Sequence, residues 1–93
     1  MQKTLRMKYV SEHKKDFLDL LLLADEEEAM IDRYLEKGQL WVAFLDRQPE
    51  VVIGVCVVTQ EQPQLYEIKN LAIAPAYQQQ GYGKQVVDFI CRQ

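Results

Sequence analysis

The sequence predicts a mixed α/β domain with a mainly antiparallel sheet, in the order β-α-α-β-β-β-α. Three observations carry this reading. Apolar and polar residues alternate at 3–9 and again at 65–74, two apolar runs at 40–45 and 50–59 flank a turn, and three other segments carry apolar stripes at helical spacing. Ninety-three residues make one domain at the usual ~100–200 residues each, so the chain 1–93 is read as a single unit.

The elements follow in order. Leu5, Met7 and Tyr9 against Lys3, Arg6 and Lys8 give a first strand with one wet face. Ser11 is the expected N-cap of a helix over 12–24, with Phe17, Leu20, Leu21 and Ala24 on one stripe. In Asp25-Glu26-Glu27-Glu28, Asp25 and Glu28 have the spacing of a capping box, and carboxylates in a first turn complement the helix dipole. The second helix then turns Met30, Ile31, Tyr34 and Leu35 inward and stops near Gly38.

Leu40 to Leu45 is apolar on both alternating faces, as a strand covered on both sides should be. Asp46-Arg47-Gln48-Pro49 reads as a turn into the β-branched run 50–59, giving an antiparallel hairpin. Along 65–74, strict alternation puts Glu67, Lys69, Leu71 and Ile73 on one side and Tyr66, Ile68, Asn70, Ala72 and Ala74 on the other. The strand ends at Pro75, and Gly81 opens a last helix with Val86, Val87, Ile90 and Cys91 inward.

Composition narrows the function classes. With 48% apolar and 27% charged residues the chain has enough to build a core, which excludes disorder and low-complexity architectures. A net charge of −3 argues against a broad electrostatic footprint for nucleic acid or an anionic membrane, so a bound anion needs a local device. Cys56 and Cys91 lie in apolar runs without CxxC spacing, and His13 is far from both, so no metal site is expected. The longest early apolar run, Leu20 to Ala24, is too short to cross a bilayer, and a cytoplasmic location is expected. Trp41 is read as sheet packing in preference to a substrate platform, and His13 as solvated.

The segment with chemical content is Leu71-Ala72-Ile73-Ala74-Pro75-Ala76-Tyr77-Gln78-Gln79-Gln80-Gly81-Tyr82-Gly83-Lys84. A strand stops, a short loop follows, and two glycines one residue apart open a helix. Glycines let the backbone approach a ligand, so several N–H groups converge on one phosphate at the positive helix end, and Lys84 adds a full charge. A Walker loop is excluded by Gln78 and Gln85, and a dinucleotide fingerprint by Val86. An ordinary helix start with flexible glycines remains the plain alternative, and Tyr82 is either a cover for a ligand or an exposed loop aromatic.

Gln78-Gln79-Gln80-Gly81-Tyr82-Gly83, following Asn70-Leu71-Ala72-Ile73-Ala74-Pro75, resembles the signature of the Gcn5-related N-acetyltransferase family: Gln or Arg, two variable residues, Gly, one variable residue, then Gly or Ala. The resemblance extends over nearly the whole chain and implies an acyl-CoA N-acyltransferase-like fold. It also implies acetyl-CoA as cosubstrate. Leu71, Ala72 and Ile73 would pair with the pantetheine arm as an added strand, and Gln78, Gln79, Gln80, Gly81, Tyr82, Gly83 and Lys84 would form the phosphate-binding segment. The implied reaction is direct attack of a primary amine on the thioester, with Glu67 matching the family's strand-four glutamate base and an N–H near Ile73 polarising the thioester carbonyl.

The family's fold usually continues beyond the glycine-opened helix with further strands and a helix, including a tyrosine that in many members protonates the CoA thiolate. The chain therefore reads as a shortened domain lacking the second wall of the cofactor cleft. On that reading the 65–74 strand is an open edge, and a homodimer covering Leu65–Ala74 and the Gly81–Gln93 helix is expected. Two alternatives to catalysis stand beside it, a CoA-binding module without turnover and an assembly or interaction domain. The acceptor amine is not readable from the sequence.

Overall fold

The structure is a computed structural model, and it describes residues 4–93. Four strands form one sheet in the order β1-β2-β3-β4, every neighbour antiparallel: β1 is Leu5–Val10, β2 Gln39–Leu45, β3 Gln48–Gln62 and β4 Leu65–Ile73. Helix α1 (Leu18–Ala24) and helix α2 (Glu28–Lys37) lie between β1 and β2, and α3 (Tyr82–Cys91) follows β4. The expected element order is the observed one. Lys3, placed in the first strand by the alternation, lies outside the described residues.

Two apolar layers sandwich the sheet. On one face Leu21, Ile31, Tyr34 and Leu35 from the helices pack on Leu40, Val42, Val55, Val57 and Ala72. On the other, Tyr82 and Val86 of α3 pack on Ala43, Leu45, Ile53, Cys56 and Val58. Side chains such as Leu21, Ile31 and Val86 are fully buried, and each contributes about 1.5–3 kcal/mol of transfer free energy. Burial on both faces explains why 40–45 and 53–59 read as continuous apolar runs.

Several local details depart from expectation. The first helix is split, with a 3₁₀ turn at Lys14–Phe17 preceding α1, and the N-cap is His13 in a left-handed conformation in place of Ser11. No capping box forms at α2. Asp25 instead accepts from the Glu27 N–H at 3.1 Å and from the Tyr34 hydroxyl at 3.3 Å. Met30 and Cys91 are exposed, not inward, because each lies at the margin of its helical stripe. The hairpin turn is tighter than expected, and β3 starts at Gln48.

Gly38 ends α2 for a different reason from the one the sequence suggests. Its φ of −88° is open to any residue, but a Cβ there would sit 2.7 Å from the Tyr34 carbonyl and 2.9 Å from Val57 Cγ1. Close approach to the sheet is what demands glycine. Lys14 closes the same helix end, its ammonium donating to the carbonyls of Leu35 at 2.9 Å and Gly38 at 2.8 Å.

The largest correction is at β4. Val57 pairs with Asn70 but Val58 pairs with Ile68, so Lys69 is an extra residue, a bulge. Strict alternation therefore fails across it. Glu67 pairs with Thr59, and with Lys69 lies on the α2 side, where Asn70 and Ala72 also belong. Leu71 and Ile73 pack on the α3 side, on which Ile68 and Tyr66 also lie. Glu67 thus does not share a face with Leu71 and Ile73.

Candidate functional site

Among the described residues β4 has one partner, β3, so its outer edge is open. Antiparallel pairing dictates which backbone groups face that edge. The Ala74 N–H donates to the Ile53 carbonyl at 2.7 Å, which makes Ala74 and Ile53 a hydrogen-bonded pair. By alternation Ala72 and Asn70 also point their amides and carbonyls at β3, while those of Leu71 and Ile73 face outward. Of the three positions expected to pair with a pantetheine arm, Leu71 and Ile73 offer edge groups, and the backbone of Ala72 belongs to the ladder. The Ile73 carbonyl receives the Gln78 side-chain amide at 2.9 Å, so Gln78 fastens the loop to the strand end with its side chain.

The loop crosses from β4 to α3 through a 3₁₀ turn at Pro75–Tyr77. Gln79 has φ 63° and Gly81 φ 85°, both in the left-handed region. A non-glycine residue there stores about 1 kcal/mol or more of strain, which such loops keep where they must aim backbone groups. The Gln80 side chain donates back to the Ala76 carbonyl at 3.3 Å and stiffens the turn. The first helical bond of α3 runs from the Gln85 N–H to the Gly81 carbonyl, leaving the amides of Tyr82, Gly83 and Lys84 without intrahelical acceptors.

Charge at this helix end is wholly positive. No acidic residue occupies the first turn of α3, and Lys84 is exposed, with no ion pair among the described residues. A Cβ built on Gly81 or on Gly83 meets nothing within 4 Å. Gly81 is still accounted for by its φ. Gly83 is not: neither conformation nor packing within the chain requires it, and the free space above it fits the close approach of an anion. Tyr82, between them, is buried in the α3-side core, so neither expectation for its side chain holds and only its backbone amide is offered to the loop.

On the α2 side of β4, the Glu67 carboxylate lies 3.1 Å from the Lys69 ammonium, at an exposed position. Next to this pair is a polar chain that the sequence reading missed. The Asn70 side-chain amide, buried, donates to the Leu21 carbonyl and to the Tyr34 hydroxyl, both at 2.9 Å, and that hydroxyl donates to Asp25. Burial pushes the Tyr34 phenol above its ordinary pKa, with the Asp25 charge adding to the effect and the Asn70 hydrogen bond opposing it. The one signal was an asparagine in the middle of an apolar strand.

Trp41 is flanked by Tyr9 and Phe89 at ring-centroid distances of 5.4 and 5.2 Å, in keeping with sheet packing. Cys56 is buried and its thiol is pushed up to about 11, which leaves it unreactive near neutrality. Among the described residues no cluster of metal-ligating side chains occurs, and no helix is long and apolar enough to cross a membrane.

Comparison with known proteins decides the family. The description "Acetyltransferase (GNAT) family" matches residues 4–93, nearly the whole chain. The chain belongs to the GNAT acetyltransferase family. The chain is 39% identical over 87 residues to the uncharacterized N-acetyltransferase YvbK of Bacillus subtilis (strain 168), covering 94% of this chain and 54% of that protein. A GNAT family acetyltransferase from Elizabethkingia anophelis, solved with acetyl-CoA bound, superposes with a TM-score of 0.84 at 32% identity over 94% of this chain and 55% of its own. A Bacillus subtilis acetyltransferase in complex with CoA gives 0.82 at 37% identity, over 96% and 57%. The GNAT chain described here spans about half the length of these relatives.

Proposed function

We propose that this GNAT domain binds acetyl-CoA along the open β4 edge and at the α3 N-terminus, and that it transfers the acetyl group to a primary amine. The observation that carries the reading is Gly83, a glycine with empty space around it at a helix end of positive charge, directly after an unpaired strand edge. Related structures with acetyl-CoA or CoA bound support it.

In this reading the amides of Gly81, Tyr82, Gly83 and Lys84 hold the pyrophosphate, with Gln79 and Gln80 shaping the approach and Gln78 locking the loop. The outward groups of Leu71 and Ile73 pair with the two amides of pantetheine as a further strand would. Acetyl-CoA bound there supplies an activated acetyl thioester. The chain's own tasks are to orient that thioester, polarise its carbonyl with an edge N–H, and take a proton from the incoming ammonium, whose pKa is about 10.4 if it is lysine-like. The Leu71 N–H faces the edge next to Asn70 and serves as the polarising donor in place of the expected N–H near Ile73. Glu67, across the bulge on the α2 side, serves as the proton acceptor directly or through one water.

The open edge and the exposed apolar Leu65, Tyr66 and Ile68 support association with a second copy, which completes the reading as a homodimer. Two free cysteines suit a reducing compartment, and we place the protein in the cytoplasm on that ground.

Calorimetric titration of the 93-residue chain with acetyl-CoA tests the reading. Saturable binding, lost in Gly81→Glu, is expected, and absence of binding refutes it. Binding without thiol release in the presence of amines leaves the CoA-binding module, and no binding leaves an assembly domain.

A further inference from the structure

We propose that the groove between α2 and the β3–β4 arm is the acceptor site and that it selects an amine that also carries a carboxylate, received by Arg33 and Lys37. The inference rests on the acetyl-CoA reading for the direction from which the acetyl group arrives. The groove has a volume of about 640 Å³ and includes Asp25, Arg33, Tyr34, Lys37, Thr59 and Lys69 in its wall. That volume lies within the usual ~300–1,000 Å³ of small-molecule sites.

Its position follows from the strand. With phosphates at the α3 end, a pantetheine arm runs back along β4 past Ile73 and Leu71, so its thioester reaches the level of Asn70 and Lys69. Lys69, pushed out by the bulge, forms one wall of the groove there. The groove therefore opens beside the point of transfer.

Its charges are arranged in two groups. At the Asn70 end stands Asp25, bonded to the Tyr34 hydroxyl that Asn70 also contacts. Further along α2, Arg33 and Lys37 are four residues apart on one helix face, and neither has an ion pair or hydrogen bond among the described residues. The other acid of the groove, Glu61, accepts the Thr59 hydroxyl at 2.6 Å. Two adjacent like charges repel, and among the described residues neither is held in an ion pair, although the protein as a whole is net negative. A carboxylate offsets both, bidentately on the arginine fork. An ammonium at the other end meets Asp25. A ligand with both charges fits this order of groups, whereas a polyamine must bring cations against Arg33 and Lys37.

Three probes of similar length separate these cases: 4-aminobutyrate, butylamine and putrescine, each titrated into the ¹⁵N-labelled 93-residue chain. The expected result is that 4-aminobutyrate shifts the amides of Arg33, Lys37 and Thr59 and binds about tenfold more tightly than the other two. The preference should invert toward putrescine in Arg33→Glu/Lys37→Glu, with the remaining spectrum unchanged. Equal or tighter binding of putrescine or butylamine to the unaltered chain, or no 4-aminobutyrate response at these amides, overturns the proposal. CoA added to the same sample reports separately through Gly81–Lys84. Loss of that response with the α2 response intact breaks the cofactor reading, and the reverse outcome breaks only the acceptor assignment.

Discussion

The Asn70 side-chain amide donates to the Tyr34 hydroxyl at 2.9 Å, tying the middle of β4 to α2 through the core. The same amide group donates to the Leu21 carbonyl at the same distance, so one side chain serves both helices. Its Oδ1, by contrast, is buried with no partner.

Removing this junction should be costly in an asymmetric way. Asn70→Ala takes one hydrogen bond each from the Leu21 carbonyl and the Tyr34 hydroxyl, which keep the Asp25 amide and carboxylate as partners, and opens a small void, for an expected loss of about 1–3 kcal/mol. Tyr34→Phe leaves Asn70 still bonded to Leu21 and should cost only about 1 kcal/mol. Urea unfolding of both variants and of the double variant checks this, with the pair expected to be non-additive.

Gly83→Ala should separate folding from binding. The added methyl meets no chain atom, and alanine is favoured over glycine in a helix by roughly 0.5–1 kcal/mol, so thermal stability should hold or rise slightly. CoA affinity should fall at the same time. Gly81→Ala should instead lose about 1 kcal/mol of stability, because φ 85° strains any side chain. Thermal melts with and without CoA distinguish the two variants.

Glu67→Gln should reduce acetyl transfer by about 10²-fold or more while leaving CoA binding unchanged. An exposed ion pair contributes only ~0–1 kcal/mol, so the fold should scarcely notice the loss of its contact with Lys69. Unfolding midpoints and initial rates measured on one preparation are the test.

Stability should fall on the alkaline side through Cys56 and Tyr34. Both are held above their ordinary pKa values in the folded chain, Cys56 at about 11 against 9.0, so the folded state keeps protons that the unfolded state gives up. The contribution is complete below pH 9 and is lost as pH rises toward 11, reaching about 2–3 kcal/mol for the cysteine. Urea midpoints across that range should decline, and less steeply in Cys56→Ala. At pH 8 an aromatic disulfide reagent should titrate Cys91 alone until the protein is unfolded.

Most of the fold was legible because burial on two faces writes long apolar runs, and because the order of runs and stripes admits few arrangements. The loop into α3 was legible as well, from Pro75 at the end of the strand and two glycines at the helix start. What escaped were features that depend on contacts between distant segments. The Lys69 bulge leaves no local mark, so period-two reasoning placed Glu67 beside Leu71. Tyr82 looked like a loop residue because its burial comes from packing against the sheet. Asp25 had the spacing of a capping box, but Tyr34 and the Glu27 amide claim its carboxylate.

The bulge also makes the effect of a deletion in this strand depend on position. Deleting Lys69 would restore straight pairing with β3 and leave Glu67 opposite Thr59 on the α2 side, whereas deleting Ile68 would put Lys69 opposite Val58 on the side beneath α3. The loss of one codon would thus be nearly silent at Lys69 and would set a charge against the α3 side at Ile68. In β4, counting residues is a form of chemistry, and its tolerance to deletion should depend on which residue is lost.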